Sequence, residues 1–122
     1  MEIEVKTAVF EKLNIALNVK IYNGAPLDAL LPYVDIDEWQ NNDWSTKTFT
    51  GSRPELRIHV WHKDRDECSR IISRIRTALD WVELPLQGVN FVDCRYISDR
   101  SMTDADGITR HGVIDFEILA HT

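Results

Sequence analysis

The stretch Glu55-Leu56-Arg57-Ile58-His59-Val60-Trp61-His62-Lys63, running on into Asp64-Arg65-Asp66-Glu67-Cys68, decides the fold class. Its first half alternates: Leu56, Ile58 and Val60 fall on one side, Arg57, His59 and Trp61 on the other. A period of two, rich in β-branched and aromatic residues, predicts a strand with one buried face. The period then changes. Cys68, Ile71, Ile72, Ile75, Ala78, Leu79 and Val82 recur at helical spacing, and Asp64 with Glu67 fits a capping box with Asp at the cap. Leu84-Pro85-Leu86-Gln87-Gly88 ends that helix.

On either side the pattern extends the same architecture. Val5, Val9, Leu13 and Ala16, widened by Phe10 and Leu17, predict a first helix over residues 3–17. Val19-Lys20-Ile21-Tyr22 reads as a short strand or extended exit, and Asn23-Gly24-Ala25-Pro26 as a turn. Pro32 disfavours helix, so residues 33–39 read as a strand with Val34 and Ile36 on one face. Tyr33, Asp35, Asp37 and Trp39 take the other. Residues 40–54 are polar and read as a long loop or an extended hairpin arm. Two further strands are expected over 89–98 and 112–120, with Val92, Cys94 and Tyr96 inward in the first and Ile114, Phe116 and Ile118 inward in the second. Asp104-Ala105-Asp106-Gly107 is the turn between them. The expectation is an α+β fold over residues 1–122: a single domain, one antiparallel β-sheet with two main helices packed on one face.

With 122 residues, the chain is long enough to bury roughly two thirds of its unfolded surface. No apolar run reaches the ~20 residues of a membrane span, and the acidic start is not that of a signal peptide. Synthesis in a cytoplasm without standard secretion is therefore expected. Cys68 and Cys94 lack a C-x-x-C spacing and read as small buried hydrophobes. A net charge of −6 argues against a general nucleic-acid binder, though a ring through which DNA slides needs no excess of Lys and Arg.

Catalytic chemistry finds little support. His59 and His62, three apart on a strand, point to opposite faces and cannot share a metal. His111 lies near a turn and His121 at a terminus. The Asp104 turn departs from a calcium loop at its fifth and twelfth positions, which are Ile108 and Asp115. Asp35 and Asp37, roughly 7 Å apart on one strand face, have no nearby His or Lys to complete a site. There is no nucleophile elbow, P-loop or dinucleotide fingerprint. No catalytic residue, metal or cofactor is expected.

One constellation points to association. Five acids between Lys20 and Lys47 (Asp28, Asp35, Asp37, Glu38, Asp43) are interleaved with Tyr33, Trp39 and Trp44. The second helix carries Arg70, Arg74, Thr77 and Trp81 on a stripe outside its apolar face. Aromatic residues and Arg are the usual interface anchors; if the two patches face different directions the contact is heterologous, and a closing rotation makes a ring. The candidate interface is Tyr33, Asp35, Asp37, Trp39, Trp44, Arg70, Arg74 and Trp81. The alternative is that these patches pair within one monomer or face water.

Leu31-Pro32-Tyr33-Val34, Trp44-Ser45-Thr46-Lys47, Ile58-His59-Val60-Trp61, Asp104-Ala105-Asp106-Gly107 and His111-Gly112-Val113-Ile114-Asp115-Phe116 occur in an order and spacing that resembles the tail completion (tail terminator) proteins of long-tailed phages and prophages. The likeness runs from the first helix to Leu119. It implies a structural virion protein at the head–tail interface that caps the tail tube as an oligomeric ring, typically a hexamer, and ends tail growth. The implied partners are further copies of the chain, the tail tube protein and the head connector or neck protein, with DNA passing through the lumen without specific binding and no membrane involved. The alternatives are a head-closure or neck ring protein and a small metal- or ligand-binding α+β domain. The resemblance carries no short motif of functional residues.

Overall fold

Two helices, α1 (Glu2–Ala16) and α2 (Arg65–Leu79), cover one face of a curled six-stranded sheet in the computed structural model, which describes residues 2–122. The strands are β1 (Lys20–Tyr22), β2 (Tyr33–Gln40), β3 (Gly51–Ser52), β4 (Glu55–His62), β5 (Asn90–Thr103) and β6 (Arg110–His121). Laterally they run β1, β2, β4, β6, β5, with β3 continuing the line of β4 along the same edge of β6. Pro54 breaks that line because it has no N–H to give. Its carbonyl still accepts from the Ile118 amide at 2.9 Å, so the ladder is kept on one side.

The sheet is mixed, which corrects the expectation of a purely antiparallel one. β1 runs parallel to β2, with Lys20 opposite Tyr33 and Tyr22 opposite Asp35. The connection 23–32 returns the chain to the starting end of β1, as a parallel pair requires. The remaining pairs are antiparallel.

The core lies between helices and sheet. Leu56, Ile58 and Val60 of β4 and Ile114, Phe116 and Ile118 of β6 are buried on the expected side, under Ile71, Ile72, Ile75 and Leu79 of α2. In α1, Val5, Val9 and Leu13 are buried with Ala8, whereas Ala16 is exposed. Gly112 lets α2 approach β6: a Cβ there would stand 2.6 Å from Ile72 Cδ1 and 3.1 Å from Cys68 Sγ. Cys68 and Cys94 are buried free thiols, and burial pushes Cys94 up to about 12.

Asp64 caps α2 in an extended backbone conformation, its carboxylate accepting from the amides of Asp66 at 2.8 Å and Glu67 at 3.0 Å. The Glu67 side chain pairs instead with Arg70, so the box is made from one side only. The helix stops at Leu79, short of the expected Val82. Asp80 adopts an extended conformation and Trp81 a left-handed one, with φ +58°. The Trp81 amide then donates to the Cys94 carbonyl at 2.8 Å, tying the helix exit to β5.

A bulge between Phe91 and Asp93 reverses the start of β5. Phe91 packs on the core and Val92 is exposed, the opposite of the alternation expected for Val92. Residues 41–53 fold as a hairpin rather than a loose arm. Arg53 donates to the Asn42 carbonyl at 2.7 Å, and the Trp44 amide donates to Gly51 at 3.3 Å.

Candidate functional site

The face of the sheet away from the helices carries a continuous run of interacting side chains. It starts at the β1 edge, where Tyr22 meets Tyr33 edge-on at 5.7 Å, and Tyr33 lies over Trp61 at 6.4 Å. Trp61 stacks on His111 at 3.7 Å with planes only 6° apart, because β4–β6 register sets them directly opposite. His111 and His59 share a hydrogen bond of 2.8 Å between Nε2 and Nδ1. His59 Nε2 then meets the Glu38 carboxylate at 2.6 Å. Arg57 stands 3.7 Å from Glu38 and donates to Asp115 at 2.9 Å.

The hydrogen bonds limit how many protons the two rings can hold. If His59 Nε2–H donates to Glu38, the single proton between the two rings sits on either His59 or His111. Both imidazoles cannot be doubly protonated while that bond is kept. Burial, and next the charge of His59, hold His111 below its ordinary value of 6.5. Burial raises the Tyr33 phenol, and the Asp115 carboxylate holding Arg57 raises that guanidinium further.

Beside this run the curl of the sheet leaves a trough of about 600 Å³, where Asp37, Glu38, Glu55 and Asp115 surround Arg57 and Ile97. Asp37, Glu38 and His59 bring ligand atoms within 4.8 Å of one another. Glu38 is already shared between His59 and Arg57, and a guanidinium beside the group repels a cation. The geometry describes an ion-pair network on an open sheet face. Among the described residues that line the trough there is no Ser, Thr, Cys or Lys to act as a nucleophile.

The eight candidate interface residues fall in several places. A bulge between Asp35 and Glu38 splits the four expected to share one face of β2. Tyr33 and Asp35 keep the helix-free side, where Asp35 accepts the amides of Gly24 at 2.9 Å and Ala25 at 3.1 Å. Asp37 lies in the bulge and is exposed, facing Glu38 and His59. Trp39 turns to the helix side instead, half-buried against the core with the Lys6 ammonium 5.2 Å from its ring centre. The extra residue in the bulge shifts parity, so Trp39 sits opposite Leu56.

Trp44 is half-buried within the chain. Its indole N–H lies 2.9 Å from the Ser52 carbonyl and 3.0 Å from that of Ala120, and its ring packs on Phe49 and His121. Arg70 and Arg74 are exposed on α2, Arg70 paired with Glu67. Trp81 lies beyond the helix and does not extend their stripe; it is 67% exposed, with the Arg95 guanidinium over its ring at 5.4 Å.

The His59–His111–Trp61 group is not apparent in the sequence. His111 reads there as a residue near a turn, and only the pairing of β4 with β6 sets it against Trp61.

The chain is thus a helix-backed, curled α+β sheet whose open face is built of stacked rings and ion pairs. Residues 8–121 match the family Tail completion protein gp17, and the chain belongs to that family of structural phage tail proteins, which are not enzymes. It is 34% identical over 84 residues to the tail completion protein gp17 of Bacillus phage SPP1. That match spans 68% of this chain and 63% of the relative, less than two thirds of the relative's length. The solved structure of the bacteriophage SPP1 gp17 protein superposes with a TM-score of 0.61 at 28% identity, over 93% of this chain and 86% of that one. A chain from the virion of a native gene transfer agent particle has the same fold, with a TM-score of 0.83 at 17% identity over 96% and 94% of the two chains.

Proposed function

We propose that this chain acts as one domain that caps the completed tail tube and forms the joint to the head. Copies assemble as a ring, a homohexamer by the family likeness. One side docks on the last ring of tube protein and ends its growth; the other meets the head connector or neck protein. DNA passes through the lumen, and the net charge of −6 suits a passage that does not hold phosphates.

The observation that carries this reading is the family match across residues 8–121. The surface chemistry agrees with it. A subunit that works by shape needs rigid open surfaces, and the Tyr33–Trp61–His111 stack is held by strand register rather than by loops. Electron microscopy of particles assembled without this chain tests the proposal. Tails of irregular, excessive length without heads are expected; tails of normal length joined to heads would overturn it.

A further inference from the structure

The connection between β1 and β2 does not have the composition of a surface loop. In Ala25-Pro26-Leu27-Asp28-Ala29-Leu30-Leu31-Pro32 only Asp28 is polar, yet Leu27 is fully exposed at 109% and Leu30 is 84% exposed. The loop is held in shape. Asp35 accepts the amides of Gly24 and Ala25, and the Ala29 amide donates to Pro26 at 3.1 Å. Two leucines held out from a fixed turn form a ready-made knob at one edge of the sheet.

On the helix layer lies a shallow groove of about 310 Å³ between the end of α1 and α2, lined by Ala16, Ser73, Arg74, Thr77 and Ala78. Apart from Arg74 its lining side chains are small, which leaves room for an incoming isobutyl group. Charge fits as well as shape: Asp28 stands between the two leucines, and Arg74 stands on the groove wall. Among the described residues, neither Asp28 nor Arg74 has an ion-pair partner in its own chain.

We propose that Leu27 and Leu30 of one copy seat in the Ala16–Ala78 groove of the next, with Asp28 paired to Arg74. The contact uses a different patch on each partner, so it is heterologous, the kind that builds a ring where its rotation closes. It rests on the ring reading above and names the surfaces that build it. Asp28 supplies orientation and Leu27 with Leu30 supply the buried area.

Two tests separate the contact from the ring. In particles assembled from Leu27→Cys, Ala78→Cys chains, mild oxidation should give a ladder of multimers beyond the dimer, which neither single variant gives. The native thiols of Cys68 and Cys94 are buried and do not confuse the result. In solution, Leu27→Asp with Leu30→Asp should weaken self-association about a hundredfold. Asp28→Arg and Arg74→Asp should each weaken it and, combined, restore it. A wild-type ring that keeps its size in the leucine variant, and whose cysteine pair gives no ladder, overturns this contact and leaves the ring standing. Wild-type chains that never multimerise, free or on tails, overturn both.

Discussion

Trp61 and His111 lie ring on ring across the β4–β6 ladder, 3.7 Å apart, with His59 hydrogen-bonded to Nε2 of the imidazole. The stack covers His111, and this burial, the largest influence on it, lowers its readiness to take up a proton. His59 and Arg100 act in the same direction, while Asp104 and Glu38 oppose them. The unfolded chain binds a proton as pH falls through 6.5, where folded His111 still resists. Stability therefore declines as pH drops below 6.5 and levels off once folded His111 titrates. Urea midpoints across that window should show the decline, and His111→Phe should flatten it. The Asp64 and Asp106 carboxylates, held low by hydrogen bonds from Glu67 N–H and the Thr109 hydroxyl respectively, withdraw their stability as pH falls around and below 3.8, at more acidic pH than the onset at 6.5.

Gly112→Ala places a methyl group 2.6 Å from Ile72 Cδ1. Either α2 shifts or Ile72 leaves its rotamer, so a loss of about 1–3 kcal/mol is expected. Chemical unfolding measures it, with an unchanged denaturant slope confirming that only stability moved.

Asp64→Ala removes the acceptor for two amides at the start of α2. About 1 kcal/mol should be lost in chemical unfolding. Asp64→Asn should recover most of it, because the amide oxygen still caps.

Trp44 closes the 41–53 hairpin onto the end of β6 through its bonds to Ser52 and Ala120. Trp44→Ala should cost about 2 kcal/mol, below the range for a fully buried Trp because the ring is half-exposed. Proteolysis should then cut the hairpin first. Deleting residues 41–52 would remove β3 and the Trp44 bonds to the end of β6, and so would weaken the fold itself.

Trp81 combines a left-handed backbone, φ +58°, with 67% exposure. A bulky residue held there costs stability that Asn avoids. Trp81→Asn should leave unfolding free energy unchanged or raise it by up to about 1 kcal/mol. Thermal unfolding checks this.

The alternation of residues 55–62 and the helical period of Cys68 to Leu79 are legible in the sequence because each is a single uninterrupted signal. Interruptions are not. None of the three bulges, at Asp35–Glu38, Phe91–Asp93 and Tyr96–Ser98, contains a glycine, yet the first turns Trp39 inward and the second leaves Val92 outward. Trp44 is hidden for another reason: its partner Ala120 lies 76 residues away. The same holds for His111, whose neighbours emerge only once β4 and β6 are paired. The apolar composition of residues 25–32 is present in the sequence but carries weight only beside the exposure of Leu27 and Leu30.

Reconstruction of the head–tail joint by electron cryomicroscopy tests the central claim most directly. A closed ring of this chain on the head-proximal end of the tail tube, one copy deep, is the expected result. A tube end that abuts the head connector with no density for this chain would contradict the account.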